Sequence, residues 1–129
     1  MQMKFQLNLI LGWLWILLSF GFGFVLGLFF HDEKWLGGYA SFRRRLYRLA
    51  HISFFGLGTV NLLFYFTSVG RPITWPWTAA SILFALGALT MPVCCMLMAH
   101  VPKSRVTFAI PVTSLVSGGI LTLVQLIKP

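Results

Sequence analysis

Charged side chains are scarce in this sequence, and carboxylates are the scarcest. Only 9% of the 129 residues are charged, and Asp32 and Glu33 are the only acidic residues. The stretches 5–30, 49–70, 72–99 and 106–127 contain no Lys, Arg, Asp or Glu. Proton-coupled carriers generally need an ionisable group within the membrane, and hydrolases of the Ser-His-acid type need a carboxylate. We therefore rank both classes low and predict no catalytic residue.

Two further features count against a phosphate-binding loop and against nucleic-acid binding. The glycine pairs at 21–23 and 37–38 lack the strand, turn and helix context of a phosphate-binding loop. The net charge of +8 comes from residues that flank the uncharged stretches, where basic residues signal membrane topology and attract anionic lipids. We expect no nucleic-acid partner, and no enzymatic activity of the chain on its own.

The four uncharged stretches predict membrane-spanning helices. A span needs about 20 mostly apolar residues, and each stretch supplies them. The composition agrees, with 58% hydrophobic residues and a mean hydropathy of +0.86. We predict an all-α integral membrane protein, folded as an antiparallel four-helix bundle. Residues 1–129 form one transmembrane domain, with spans at about 7–30, 49–69, 77–99 and 106–127.

The basic residues predict the orientation of the bundle. Seven lie in the 31–48 and 100–105 connections, and three lie on the other side. The seven are Lys34, Arg43, Arg44, Arg45, Arg48, Lys103 and Arg105; the three are Lys4, Arg71 and Lys128. Since loops rich in Lys and Arg stay cytoplasmic, both termini should face outward. Segment 34–48 mixes aromatic and basic residues and should lie along the headgroups. We expect a multi-pass protein of the bacterial inner membrane.

Small residues predict where the helices meet. Helices in lipid associate through close backbone approach at glycine, alanine and serine. The candidate packing positions, on four different spans, are Gly23, Gly27, Gly58, Gly87 and Gly118. The alternative interpretation is that these glycines border a cofactor cleft.

Three histidines suggest a cofactor site. With this topology His31, His51 and His100 share the cytoplasmic side, and their depths differ by about one helical turn. His51 is the leading candidate because it alone lies inside an uncharged stretch. Imidazole, thioether and thiol groups suit copper, and a His/Met pair suits haem b. Apolar filling by methionine and interfacial hydrogen bonding by histidine are the alternatives.

The candidate cofactor-binding residues are His51, His100, His31 and Met96, and the candidate metal ligands are His51, His100, Met91 and Met98. The leading hypothesis is an accessory protein or subunit of a membrane complex, related to electron transfer, with haem b or copper near His51. It would contact lipid and either other membrane subunits or further copies of itself. A cofactor-free scaffold is one alternative. A channel or carrier for a neutral or quinone-like substrate is another, lined by Asn61, Tyr65, Ser114, Thr122 and Gln125.

Overall fold

Long helices account for most of the molecule. The computed structural model describes residues 5–128, and no strand occurs in that range. The α-helices are α1 (Gln6–Phe29), α2 (Phe42–Ser68), α3 (Trp75–His100) and α4 (Ala109–Ile127), with 3₁₀ turns at Trp35–Gly37 and Pro102–Phe108. All four helices, the last taken with the turn before it, are long and apolar enough to cross a membrane. The prediction of an all-α chain with four helices able to span a membrane is confirmed. Lys4 and the two ends of the predicted 1–129 domain lie outside the described residues.

Helix α2 begins seven residues before the uncharged stretch that predicted it. Ser41 caps its first turn, because the Ser41 hydroxyl accepts a hydrogen bond of 3.2 Å from the backbone N–H of Arg44. The last part of segment 34–48, expected to lie along the headgroups, is therefore helical. Arg44, Arg48 and His51 are separated by four and three residues. This spacing matches the helical repeat and sets the three side chains on the same side of α2.

The fourth span begins as a 3₁₀ turn rather than as an α-helix. Residues 106–108, the first of the predicted span, belong to the turn Pro102–Phe108, and α4 starts at Ala109. Pro111 falls in the first turn of α4, where its missing N–H leaves no intrahelical hydrogen bond unmade.

Helices that follow one another in the chain pack side by side. Helix α1 packs along α2, α2 along α3 and α3 along α4, and α1 also touches α3. Helix α3 is consequently the most buried of the four and α4 the least. The connection between α1 and α2 lies at the same end as the end of α3, since Leu36 and Pro102 border one cleft.

A buried polar cluster joins the first three helices. The Asn8 side chain on α1 donates to the Asn61 side chain on α2 at 2.7 Å and to the Ser81 carbonyl on α3 at 3.1 Å. The Ser81 hydroxyl donates to the Asn8 carbonyl oxygen. Asn61 also donates to the Leu57 carbonyl at 2.8 Å. Both asparagines are fully buried, so these bonds satisfy amides that find no water in the core.

Glycine lets α1 and α2 approach closely where Gly12 meets Gly58. A Cβ atom placed on Gly58 would lie 2.8 Å from the Gly12 carbonyl oxygen, and one on Gly12 would lie 2.7 Å from Leu62. Between α3 and α4, the side chain of Leu115 fills the space beside Gly87, and Gly118 lies against Leu83. A Cβ atom placed on Gly27, by contrast, would have no neighbour from another helix within 4 Å. The helix contacts therefore use Gly12, which the sequence analysis passed over, and leave Gly27 exposed.

We expect Gly58→Ala to destabilise the protein by about 1–3 kcal/mol, because its methyl group would press on the backbone of α1. Unfolding in a denaturing detergent, followed by circular dichroism, measures this. Gly56→Ala is the matched control, since its methyl group would enter open space. Equal stabilities for the two variants would contradict the close approach of α1 and α2.

We expect Asn61→Leu to cost about 1–2 kcal/mol, because the amide of Asn8 loses a buried acceptor and α2 loses its hydrogen bonds to α1 and α3. The same detergent titration applies. Thr67→Val serves as the control, since that hydroxyl bonds only the Leu63 carbonyl of its own helix. The double variant Asn8→Leu/Asn61→Leu should lose less than the sum of the single losses; strict additivity would count against a shared network.

Candidate functional site at His51

The imidazole of His51 lies in the contact between α1 and α2, opposite Gly23. A Cβ atom on Gly23 would lie 2.6 Å from His51 Cε1 and 3.0 Å from Nε2. The glycine therefore leaves the space that the ring occupies, and Cε1 is the ring atom nearest to it. One turn earlier on α1, the Ser19 hydroxyl lies 3.5 Å from the His51 carbonyl oxygen.

The other ring nitrogen of His51 is buried and unpaired. Within the described residues, Nδ1 has no hydrogen-bond partner. The ring stacks on Phe22, with 6.4 Å between centroids and planes 20° apart. A buried polar atom without a partner is costly, and more so in a bilayer that offers no water. His51 thus keeps a buried nitrogen that nothing in the described part of the chain satisfies.

Two shallow clefts meet at His51 on the outside of the helix pair. Their volumes are about 290 Å³ and 180 Å³, and His51 and Ile52 line both. The larger is completed by Ser19, Phe20, Phe55 and Gly56, and the smaller by Gly23, Leu26, Phe30 and Arg48. Both are small beside usual ligand pockets of roughly 300–1,000 Å³. The groove could hold part of a ligand whose remainder contacts lipid or another protein.

A row of rings connects His51 with His100. Phe22 stacks on Tyr47 as well as on His51, with 6.3 Å between the Phe22 and Tyr47 centroids. The Tyr47 hydroxyl lies 2.8 Å from Nε2 of His100, at the end of α3. The two histidines are thus brought to the same end of the helices, with Phe22 and Tyr47 between them.

The remaining candidate ligands are dispersed. His31 is exposed in the turn after α1, and Met91, Met96 and Met98 are half-buried along α3. Across residues 5–128, no three His, Cys, Asp or Glu side chains are grouped so that they could hold a metal ion. The arrangement offers one imidazole, which can supply a single ligand or a single hydrogen bond.

The residues expected to line a channel have other surroundings. Asn61 is fully buried in the polar cluster, and Ser114 is buried in the contact between α3 and α4. The Thr122 hydroxyl donates to the Gly118 carbonyl at 2.8 Å. Tyr65 packs against the cluster around Phe64, and Gln125 lines a cleft beside Trp77.

Arg44 has a role that was not predicted from the sequence. Its side chain is 2% exposed, and its guanidinium donates to the Phe30 carbonyl at 3.1 Å, closing the end of α1. The rings of Phe30, Trp35 and Tyr39 surround it at 5.0, 5.6 and 5.5 Å. The sequence feature that could have predicted this role is spacing, because Arg44, Tyr47 and His51 recur at three- and four-residue intervals. This cage fixes the start of α2, and hence the position of His51 relative to α1.

Comparison with known proteins adds no relative. No protein-family model matches the chain, and no match was found among curated proteins or solved structures. The functional argument therefore rests on the geometry around His51.

We expect Gly23→Ala to displace the imidazole of His51, because the added methyl group would lie only 2.6 Å from Cε1. The loss of stability should be about 1–3 kcal/mol. In protein with ¹⁵N-labelled histidine, the His51 ring resonances, assigned with His51→Ala, should shift. Gly27→Ala, four residues further along α1 and free of neighbours within 4 Å, should leave them unchanged. Unchanged resonances in both variants would contradict the geometry described for Gly23.

Proposed function

We propose that this chain is a small accessory subunit of a membrane complex related to electron transfer, in which His51 supplies a ligand to haem b or copper. The cofactor would lie in the groove between α1 and α2 and be completed by a partner subunit. The chain would be an antiparallel bundle in the bacterial inner membrane, with both termini on the outer side. Catalysis would belong to the complex rather than to this chain.

The observation that carries this proposal is the burial of the His51 ring against α1 with a nitrogen that lacks a hydrogen bond in the described residues. Nδ1 is buried without a partner in the described residues, and the ring lies against Gly23, where an added Cβ atom would collide with it. Neutral imidazole offers a lone pair and is a usual ligand of haem and copper. An ionisable side chain at this depth of a span is costly, and function is the usual reason for keeping one.

The need for a partner follows from what surrounds His51. A copper ion or a haem iron needs further ligands or an enclosing wall, and the two clefts beside His51 are shallow. In the part of the chain that the structure describes, His51 belongs to no group of three histidines, cysteines or carboxylates that could hold a metal ion. The open side of the groove is where a partner helix would supply them. His100, His31 and the methionines of α3 would then belong to the same end of the bundle, but they would not contact the ion held by His51.

Charge supports the proposed orientation. The 31–48 and 100–105 connections, with seven of the ten Lys and Arg residues, meet at one end, where Tyr47 and His100 are bonded. Near the opposite end, Asn8 at the start of α1 bonds Asn61 late in α2, as expected for antiparallel neighbours. The positive-inside rule assigns the basic end to the cytoplasm.

A cofactor-free scaffold is the second candidate function, and a different observation favours it. The hydrogen-bonded cluster of Asn8, Asn61 and Ser81 holds three helices together with no ligand. The fourth helix packs chiefly on α3 and leaves much of its surface free for another protein. In this function His51 would donate a hydrogen bond to a partner span rather than bind a metal.

The test is purification of the tagged full-length chain from native membranes in a mild detergent that retains its partners. We expect it to migrate as a complex with a Soret band or with stoichiometric copper. His51→Ala should abolish the cofactor signal, because the only ligand from this chain is lost. The measurements are optical spectra, metal analysis and size-exclusion chromatography.

Two comparisons make the result decisive. His31→Ala removes an exposed imidazole of the same chain and should leave the signal intact. Circular dichroism checks that His51→Ala keeps its helices. A complex without haem or stoichiometric metal favours the scaffold, a cofactor that survives His51→Ala places the ligand elsewhere, and a lone monomer overturns both candidate functions.

A further inference from the structure

A separate cleft lies between the start of α2 and the end of α3. It has a volume of about 380 Å³ and combines apolar walls with one arginine and one imidazole. Its lining residues are Leu36, Gly37, Ser41, Phe42, Arg43, Ala99, His100 and Pro102. None of them lines the clefts beside His51, so an inference about this cleft does not depend on the proposed function.

The arginines at the start of α2 outnumber the two carboxylates of the same connection, Asp32 and Glu33. Within residues 5–128, Arg43, Arg44, Arg45 and Arg48 form no ion pair. The one nearby carboxylate with a described bond, Asp32, accepts from the backbone N–H of Lys34 at 2.9 Å. Arg44 is buried without a counter-ion and bonds backbone carbonyls instead. An anion would therefore find several positive charges at this end of the helices.

The polar groups of the cleft are suited to an anion. The Ser41 hydroxyl caps the N–H of Arg44, and the N–H groups of Phe42 and Arg43 have no acceptor in the described part of the chain. His100 is held by Tyr47 through Nε2, which leaves Nδ1 available at the rim. Arg43, an exposed residue, lines the same cleft and supplies a full positive charge.

The walls and the position of the cleft indicate what kind of anion binds. Leu36, Phe42 and Ala99 offer apolar surface directly beside the cationic group, as an amphiphile requires. The cleft opens where two spans end, which is the level of the lipid headgroups. A freely soluble phosphate would gain nothing from the apolar walls.

We propose that this cleft binds the phosphate group of an anionic phospholipid. The phosphate accepts hydrogen bonds from Arg43 and from the first N–H groups of α2, and His100 contacts the headgroup. The glycerol and the upper part of an acyl chain lie against the apolar wall. A bound lipid would thus bridge α2 and α3 at the basic end of the molecule.

The test is native mass spectrometry of the full chain in detergent, titrated with phosphatidylglycerol. We expect one lipid to be retained at lower concentration than the rest, and Arg43→Gln should weaken that binding about fivefold. Arg45→Gln is the matched control, because it removes the same charge two residues away from a side chain that does not line the cleft. Circular dichroism verifies that both variants keep the wild-type fold.

Four outcomes would overturn the proposal. Equal weakening by Arg43→Gln and Arg45→Gln would mean general attraction to the basic surface, and no weakening by Arg43→Gln would exclude the cleft. Equal retention of phosphatidylcholine would remove the requirement for an anion. Displacement of phosphatidylglycerol by inorganic phosphate at a similar concentration would identify a site for the free ion instead of a lipid.

Discussion

The hydrogen bonding of Asn8 with Asn61 and Ser81 is the constraint on which the helix arrangement depends. A bilayer core supplies no water, so two fully buried amides must find their partners in the protein. They can do so only if α1, α2 and α3 meet at one depth, which fixes the register of all three helices. The close approach of Gly12 and Gly58 follows on the same helix pair and is compatible with that register. Helix α4 takes no part in this cluster and packs on the outside of α3.

The imidazole of His51 is an exception in a core whose buried polar side chains are otherwise hydrogen-bonded. Nearly every buried side-chain nitrogen and oxygen in the described range is bonded, and His51 Nδ1 and the Nε of Arg44 are the two that are not. The Arg44 side chain is compensated by two carbonyls and three aromatic rings. His51 has only a stacked phenyl ring. His51 is therefore the one side chain of the described range whose buried, unbonded polar atom has no compensating contact with a carbonyl or a charge.

The number and the approximate ends of the spans could be predicted from the sequence, because the absence of charge over 20 or more residues is set by the bilayer itself. The start of α2 could not, since a hydropathy pattern reports where charge stops and not where Ser41 caps a helix. Among the glycines, spacing suggested both Gly23 and Gly27, yet only Gly23 faces another helix. One-dimensional spacing defines a face of a helix, and the crossing of two helices decides which part of that face is covered.

The candidate site residues likewise divide into those that could be predicted from the sequence and those that could not. His51 could be selected from sequence because it is the only histidine within an uncharged stretch, but its pairing with Gly23 and Phe22 depends on the crossing of α1 and α2. Arg44 could not be separated from Arg43 and Arg45 by composition, although the three have different surroundings. Arg44 is buried and closes the end of α1, whereas Arg43 and Arg45 are both exposed and only Arg43 of these two lines the cleft towards α3. Successive residues of a helix point about 100° apart, so an arginine triplet at the start of α2 is divided among three directions. The basic cluster therefore contains one structural residue, Arg44, one candidate lipid contact, Arg43, and one surface charge, Arg45. We expect that each can be substituted without changing the surroundings of the other two.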